Sequence, residues 1–336
     1  MTDHQPDDDA RMTRAGNHQD GTRQARADMG DDLVLPFTVD ALNVRGRIAH
    51  LGAAVDTAIR QHDLPAPVAR LLAEAMALAA MLGSLLKVQG KLILQAQTNG
   101  PVRLLVADFR APDAIRGLAR FDENAIATLM EQNDTTPQAL LGSGQLVFTI
   151  DQGPHTRRYQ GVVALQGDLQ QAAQDYFASS EQIPTRVKLA AGTLTDESGE
   201  HWRAGAMMIQ HLPPAAGNAA QDGDNTQPRE KDAQHHEDDW NTAQALFDTL
   251  QDQELLDPAI SPERLAYRLF HEQGVKVFEP VRVRFDCGCD RDRLRDVLRR
   301  FSAEERRDML AEDGKIHATC EFCNETYTFT PEELET

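Results

Sequence analysis

Residues 285–294 read "FDCGCDRDRL" and residues 318–327 read "ATCEFCNETY". Together they hold Cys287, Cys289, Cys320 and Cys323, every cysteine in a chain of 336 residues. The pattern is Cys-x-Cys, thirty residues, then Cys-x-x-Cys. Four thiolates in two close pairs match a tetrahedral Zn²⁺ site, which is closed when all four positions are cysteine and so suits a structural or regulatory role rather than hydrolysis. The N-terminal stretch "MTDHQPDDDARMTRAGNHQDG" has no apolar run of the kind a secretory signal needs. A cytoplasmic setting, where thiols stay reduced, is therefore expected, and it favours a metal site over a disulfide framework.

Between the pairs, "DRDRLRDVLRRFSAEERRDMLAEDGKIHA" predicts a helix, a break at Phe301 and Ser302, a capping box from Ser302 and Glu305, and a second helix ending before Gly314. The second cysteine pair then falls in a hairpin. His317 lies in the same hairpin, but four cysteines fill the tetrahedron, so it is expected to face solvent. A redox-active Cys-x-x-Cys would need a βαβ setting, and none is visible around Cys320.

Upstream, residues 240–282 carry two amphipathic helical patterns, "WNTAQALFDTLQDQELLDP" and "SPERLAYRLFHEQG". Ser261 is an N-cap with Pro262 at the first helical position, and Gly274 closes the segment. Trp240, Leu246, Phe247 and Leu250 share one face, as do Leu265, Leu269 and Phe270. Helices this short are marginal alone and need a surface to lie on, and the N-terminal core is the expected one. Residues 213–239 are polar and rich in Pro, Gly, Asn and Asp, which predicts a flexible insertion in which His235 and His236 are a solvated pair rather than metal ligands.

The N-terminal part predicts α+β. After a short strand-like run from Leu33, the chain gives a helix-like pattern, and then "DLPAPVARLLAEAMALAAMLGSLLK" reads as a long apolar core helix. Its apolar stretch, Leu71 to Leu86, contains Glu74 and is too short and interrupted to span a bilayer. Residues 91–97, 100–109, 144–151, 158–166 and two runs after Pro184 predict strands, with a helix capped by Asp168 between them. Strands in consecutive runs suggest a largely antiparallel sheet. Residues 1–32, almost without large apolar groups, predict a disordered acidic tail.

A net charge of −19 opposes binding to a nucleic-acid backbone, and acidic residues outnumber basic ones in the cysteine-bearing segment as well. No phosphate-cradling glycine motif is present, and no nucleophile and base arrangement stands out; Ser179 and Ser180 near Asp175 read as a helix end. A thiol oxidoreductase using Cys320 and Cys323 and a zinc-dependent nucleic-acid binder remain as other readings of the cysteines.

The cysteine pattern following "YRLFHEQGVKVFEP", together with "YQGVVALQGDLQQAAQDYFASSEQIPT" at 159–185 and "LAEDGKIHATCEFCNETYTF" at 310–329, resembles the heat shock protein 33 family of redox-regulated chaperones. The likeness extends from about Leu33 to Phe329. It implies a core domain (33–212), the insertion (213–239), a metastable helical linker (240–282) and a small zinc-binding switch domain (283–331). It implies one Zn²⁺ on Cys287, Cys289, Cys320 and Cys323 in an inactive reduced form, and no enzymatic activity. It further implies that oxidation pairs Cys287 with Cys289 and Cys320 with Cys323, releases zinc, unfolds the linker and yields a dimer that holds unfolding client proteins without ATP, with neither nucleic acid nor membrane as partner. The acidic tail and the length of the 213–239 stretch depart from the family pattern.

Overall fold

The computed structural model describes residues 31–335 apart from 87–88, 154–155 and 213–229, and describes 230–236 by backbone alone. Among the described residues the strands are, in chain order, β1 (Leu33–Val39), β2 (Val44–Leu51), β3 (Lys91–Thr98), β4 (Val102–Arg110), β5 (Ala114–Phe121), β6 (Ser143–Asp151), β7 (Tyr159–Gln166), β8 (Thr185–Asp196), β9 (Gly199–His211), β10 (Val275–Val277), β11 (Val281–Arg282), β12 (Arg284–Phe285), β13 (Ile316–Thr319) and β14 (Thr326–Phe329). They build two six-stranded sheets and one hairpin. The first sheet runs β10-β1-β2-β9-β8 with β11 also on β1, the second β12-β5-β4-β3-β6-β7, and the hairpin is β13-β14. All pairings are antiparallel except that of β12 with β5.

The helix Ala66–Gly83 is apolar around most of its circumference, so both of its sides must be covered. It lies between the sheets, against β2, β8 and β9 of one and β3, β4 and β5 of the other. Its 18 residues and mean hydropathy of 1.4 would meet the length and composition of a membrane span, but 78% of it is buried inside the fold. Enclosure between two sheets, rather than shortness, is what accounts for its apolarity. The helix begins where expected, with Pro65 as N-cap and Pro67 in the first turn.

The first sheet is apolar on both faces. Val34, Ala49, Leu51, Ala204 and Met208 join the core around the long helix, while Phe37, Val39, Val44, Ile48, Met207 and Ile209 form a second apolar layer on the other face. Three helices cover that second layer: Glu230–Phe247, Asp252–Leu256 and Pro262–Phe270. Phe247, Leu250, Leu255, Leu265, Leu269 and Phe270 are buried there, Trp240 and Leu246 partly so, and Phe270 stacks on Phe37 with ring centroids 5.8 Å apart. The helical faces read from the sequence thus lie on the N-terminal core, as expected. A Cβ at Gly205 of β9 would come within 2.5 Å of the Leu255 carbonyl oxygen, so only glycine lets the Asp252–Leu256 turn approach the sheet this closely.

Three boundaries differ from the sequence reading. Asp31 and Asp32, assigned to the tail, belong to the core: Asp31 pairs with Arg203 at 2.7 Å, and Asp32 accepts hydrogen bonds from the backbone N–H of Gly52 and Ala54 at the start of helix Ala53–Arg60. The rest of the tail, 1–30, lies outside the described residues, as do 213–229 of the insertion. From Glu230 the chain is helical where an open loop is expected through 239. Its Glu, Lys, Ala and Gln are strong helix formers, and the helix is fastened by Asp239, which accepts from Asn43 Nδ2 at 3.3 Å, and by Trp240, which stacks on His211 at 5.6 Å. The backbone of His235 and His236 is part of this helix. Lastly, the linker is helical only to Phe270. After a 3₁₀ turn and Gly274 at φ 75° it becomes extended, and β10, β11 and β12 strap it across the edges of both sheets.

Candidate metal centre

The first cysteine pair hangs directly from that strap. β12 pairs with Ala114 and Ile115 of β5, and the N–H of Asp286 donates to the Ile115 carbonyl at 3.0 Å. Gly288 between the two cysteines has φ 64°, a left-handed conformation that turns the chain so both thiols face the same point; a Cβ there would also meet the Arg110 guanidinium at 2.5 Å. Asp290 then caps helix Arg291–Leu298 by accepting from the N–H of Arg293 at 2.8 Å.

The second pair sits in the turn of the β13-β14 hairpin, whose register pairs Ile316 with Phe329 and Thr319 with Thr326. The N–H of Cys320 donates to the Glu325 carbonyl and that of Asn324 to the Cys320 carbonyl, closing the turn. The capping box at Ser302 and Glu305 forms as read, opening helix Ala303–Asp308. His317 points away from the cluster, exposed and bonded to Thr328 and Asp313.

The four Sγ atoms lie within 4.8 Å of one another, with Cys287 to Cys320 at 3.4 Å and Cys289 to Cys323 at 3.2 Å. A tetrahedral metal with thiolate bonds of about 2.3 Å holds its sulfurs roughly 3.8 Å apart, so the cage has the size of a four-thiolate metal site. Cys287 is buried and the others half-buried, which shields the centre from exchange with solvent. Without a cation, two of the thiols resist ionisation: burial pushes Cys287 up to about 11 and, with its neighbouring thiols, raises Cys323. Burial also opposes ionisation of Cys320, yet the backbone N–H groups of Phe322 and Cys323 and the thiol of Cys287 outweigh it and hold that group below its ordinary value. A divalent cation supplies the charge that lets all four ionise, so these residues can hold a metal.

The module around the cage has little else to fold upon. Its own core is Leu298, Ile316, Phe329 and Leu334, backed by Arg291, whose guanidinium lies 4.5 Å above the Phe329 ring and bonds the Thr328 carbonyl and Glu333. Four buried side chains are far short of what holds an independent domain, so a metal held by the four sulfurs would supply much of its stability.

Sequence reasoning missed four residues around the centre. Tyr327 places its hydroxyl 3.6 Å from Cys289 Sγ; its alternation with the buried Phe329 along β14 was the available signal. His62, Arg116 and Arg120 reach the second cysteine turn from the core, through contacts with Phe322 and Glu321. Nothing in the sequence announces partners 200 or more positions away.

The Hsp33 protein family matches this chain over residues 32–330. A protein of Caulobacter vibrioides named 33 kDa chaperonin is 44% identical over 304 residues, covering 90% of this chain and 95% of its own. Proteins of the same name from Ectopseudomonas mendocina and Pseudomonas aeruginosa are 34% identical (90% and 94% covered) and 36% identical (89% and 91% covered). The crystal structure of the 33 kDa chaperonin, an Hsp33 homologue, from Thermotoga maritima superposes with a TM-score of 0.70 at 24% identity, covering 90% of this chain and 97% of that one, and supports the fold. The four-cysteine cage, the strapped linker and these matches lead to one conclusion: the chain belongs to the Hsp33 family of chaperones.

Proposed function

We propose that this protein is a redox-controlled, ATP-independent holdase whose resting state carries one Zn²⁺ on Cys287, Cys289, Cys320 and Cys323. The observation that carries the reading is the convergence of two chain segments, one strapped to the core and one not, on a single four-sulfur cage beside a module with a very small core. When bound, zinc ties the segments together and stabilises the thiolates.

An oxidant that takes two electrons per pair, such as a peroxide, converts Cys287 with Cys289 and Cys320 with Cys323 into two disulfides. Each disulfide, as it forms, gives two electrons to one peroxide, whose O–O bond breaks to leave water, and the four sulfurs would then no longer be thiolates able to hold a metal. Pairing within each segment closes loops of a few residues and removes the long-range tie, whereas bridging Cys287 to Cys320 would preserve it. The module then unfolds, the strap β10–β12 loses its anchor, and the linker helices leave the outer face of the first sheet. Phe37, Val44, Ile48, Met207 and Ile209, with Phe247, Leu265 and Phe270 from the linker, become apolar surface for unfolding client proteins and for a second copy of the chain. The setting is the cytoplasm, where thiols rest reduced.

The oxidoreductase reading gains nothing from the site. A reactive Cys-x-x-Cys stands at a helix N-terminus with an open approach to its first thiol, whereas Cys320 and Cys323 occupy a hairpin turn and face the thiols of Cys287 and Cys289 within one cage. The test is to treat the zinc-loaded protein with peroxide, follow released zinc with a chelating dye, and map disulfides by peptide mass. One zinc per chain released with Cys287–Cys289 and Cys320–Cys323 bridges is the expected result. Bridges between the segments, or oxidation with zinc retained, would refute it.

A further inference from the structure

The two cysteine segments are attached to the core by different means. The first is held by main-chain pairing of β12 on β5 and by Arg110, which bonds Asp286 at 3.0 Å. The second arrives 33 residues later and meets the core through side chains: His62 Nε2 lies 3.0 Å from the Phe322 carbonyl oxygen, and Arg120 Nη2 bonds both carboxylate oxygens of Glu321 at 2.6 and 2.8 Å. Glu321 and Phe322 are the two residues between Cys320 and Cys323. One core side chain touches both segments. Arg116 Nη1 donates to the Cys287 carbonyl at 2.8 Å, and the same guanidinium lies 4.0 Å over the Phe322 ring. Its Nε and Nη2 are fixed on buried Asp108 at 3.0 and 2.7 Å, so the plane is held in place from behind.

We propose that Arg116 is the positioning residue through which the core registers whether the two cysteine segments are tied together. This rests on the redox reading above. A guanidinium can bond a carbonyl along its edge while its face covers an aromatic ring, so Arg116 satisfies both contacts at once only when Cys287 and the Cys320–Cys323 turn lie side by side. That is the geometry the four-sulfur cage enforces. Loss of the tie withdraws Phe322, uncovers the guanidinium, and weakens its hold on the Cys287 carbonyl, the point where the strap ends. The strap β10–β12 is continuous with the linker helices, so the release propagates backwards along the chain to the face that the linker covers. Arg120 and Glu321, more than half exposed at both ends, add orientation of the turn rather than much stability.

Arg116→Ala would leave buried Asp108 unpaired and disturb the sheet, so the contact is better tested from its other side. Phe322→Ala keeps all four cysteines and the Arg116–Asp108 pair. In the zinc-loaded, reduced protein it is expected to bind one zinc per chain, as the unaltered protein does, yet to raise hydrogen exchange of the strap amides in 275–283 at least tenfold and to suppress client aggregation before any oxidant is added. The Arg120→Glu and Glu321→Arg single variants should show the same trend more weakly, and the double variant should restore protection. Strap exchange in zinc-loaded Phe322→Ala equal to that of the unaltered protein would overturn the proposal. So would loss of zinc from this variant at the same free zinc concentration, because Phe322 would then act on the cage rather than on the core. If the unaltered protein itself gains no activity on oxidation, the redox reading fails, while the exchange comparison in the zinc-loaded state still decides the role of Arg116.

Discussion

Phe270 is the side chain on which the linker's attachment depends most visibly. It is fully buried at the end of helix Pro262–Phe270, stacked on Phe37 of β1, just before the chain turns into the strap. Truncating a buried phenylalanine to alanine costs about 3–5 kcal/mol, which is a shift of roughly two to three and a half decades in the equilibrium between seated and released linker. Segments of a fold open locally at less than the global free energy, and three short helices on one sheet face belong at the low end of that range. Phe270→Ala is therefore expected to release the linker while zinc remains bound and the helix Ala66–Gly83 stays protected. Hydrogen exchange should show fast amides confined to the linker, and light scattering from a heat-unfolded client should show suppression without oxidant. A control, Leu78→Ala in the core helix, should lower the melting temperature without conferring resting activity. If Phe270→Ala keeps the linker protected, or opens it and gains no activity, the argument that this face is the regulated surface is refuted.

Other outcomes follow from the same structure. Cys323→Ser should lose zinc at free concentrations that saturate the unaltered protein, and its module residues 287–329 should become sensitive to protease, read by metal analysis and peptide mapping. Chelation of zinc under reducing conditions should destabilise the module in the same way, but leave the melting of the two-sheet core within a few degrees. Glu74, on the core helix, is pushed up to about 7 by burial, so its ionisation destabilises the fold progressively as pH rises from the unfolded carboxylate value to 7. Glu74→Gln should remove that slope and raise stability above pH 7 by on the order of 2–3 kcal/mol, measured by denaturant titration. His50, buried with both ring nitrogens unpartnered and pushed down to about 4 by burial, acts in the opposite sense. Stability linked to it is full above the unfolded histidine value and is lost as pH falls towards 4, so the Glu74→Gln variant should show this acid-side loss more steeply than the unaltered protein does.

The cage was legible because its chemistry is local: cysteines at ligand spacing, and a capping box that starts the second intervening helix. The linker faces were legible for the same reason, since Phe247 and Phe270 fall on helical stripes and Ser261 and Pro262 mark a helix start. The second strand, Val44–Leu51, was hidden because "VRGRIAHL" alternates only at its start and turns fully buried where it passes between two apolar layers. β5 was hidden by Arg116 and Arg120, polar residues whose partners on the strand's outward side are Phe322 and Glu321 of the cysteine module. The strap was hidden because β10 and β11 are two or three residues long and exist only by pairing with β1, some 240 positions earlier. Residues whose role depends on a distant partner left no local trace.

The measurement that bears most directly on the central claim is light scattering from a thermally unfolding client in the presence of this protein, either zinc-loaded and reduced or peroxide-treated and freed of reductant. The account predicts that only the oxidised form suppresses aggregation, that returning reductant and zinc reverses it, and that replacing the cysteines abolishes the dependence on oxidant. Equal suppression by both forms would contradict it and leave the metal a purely structural tie.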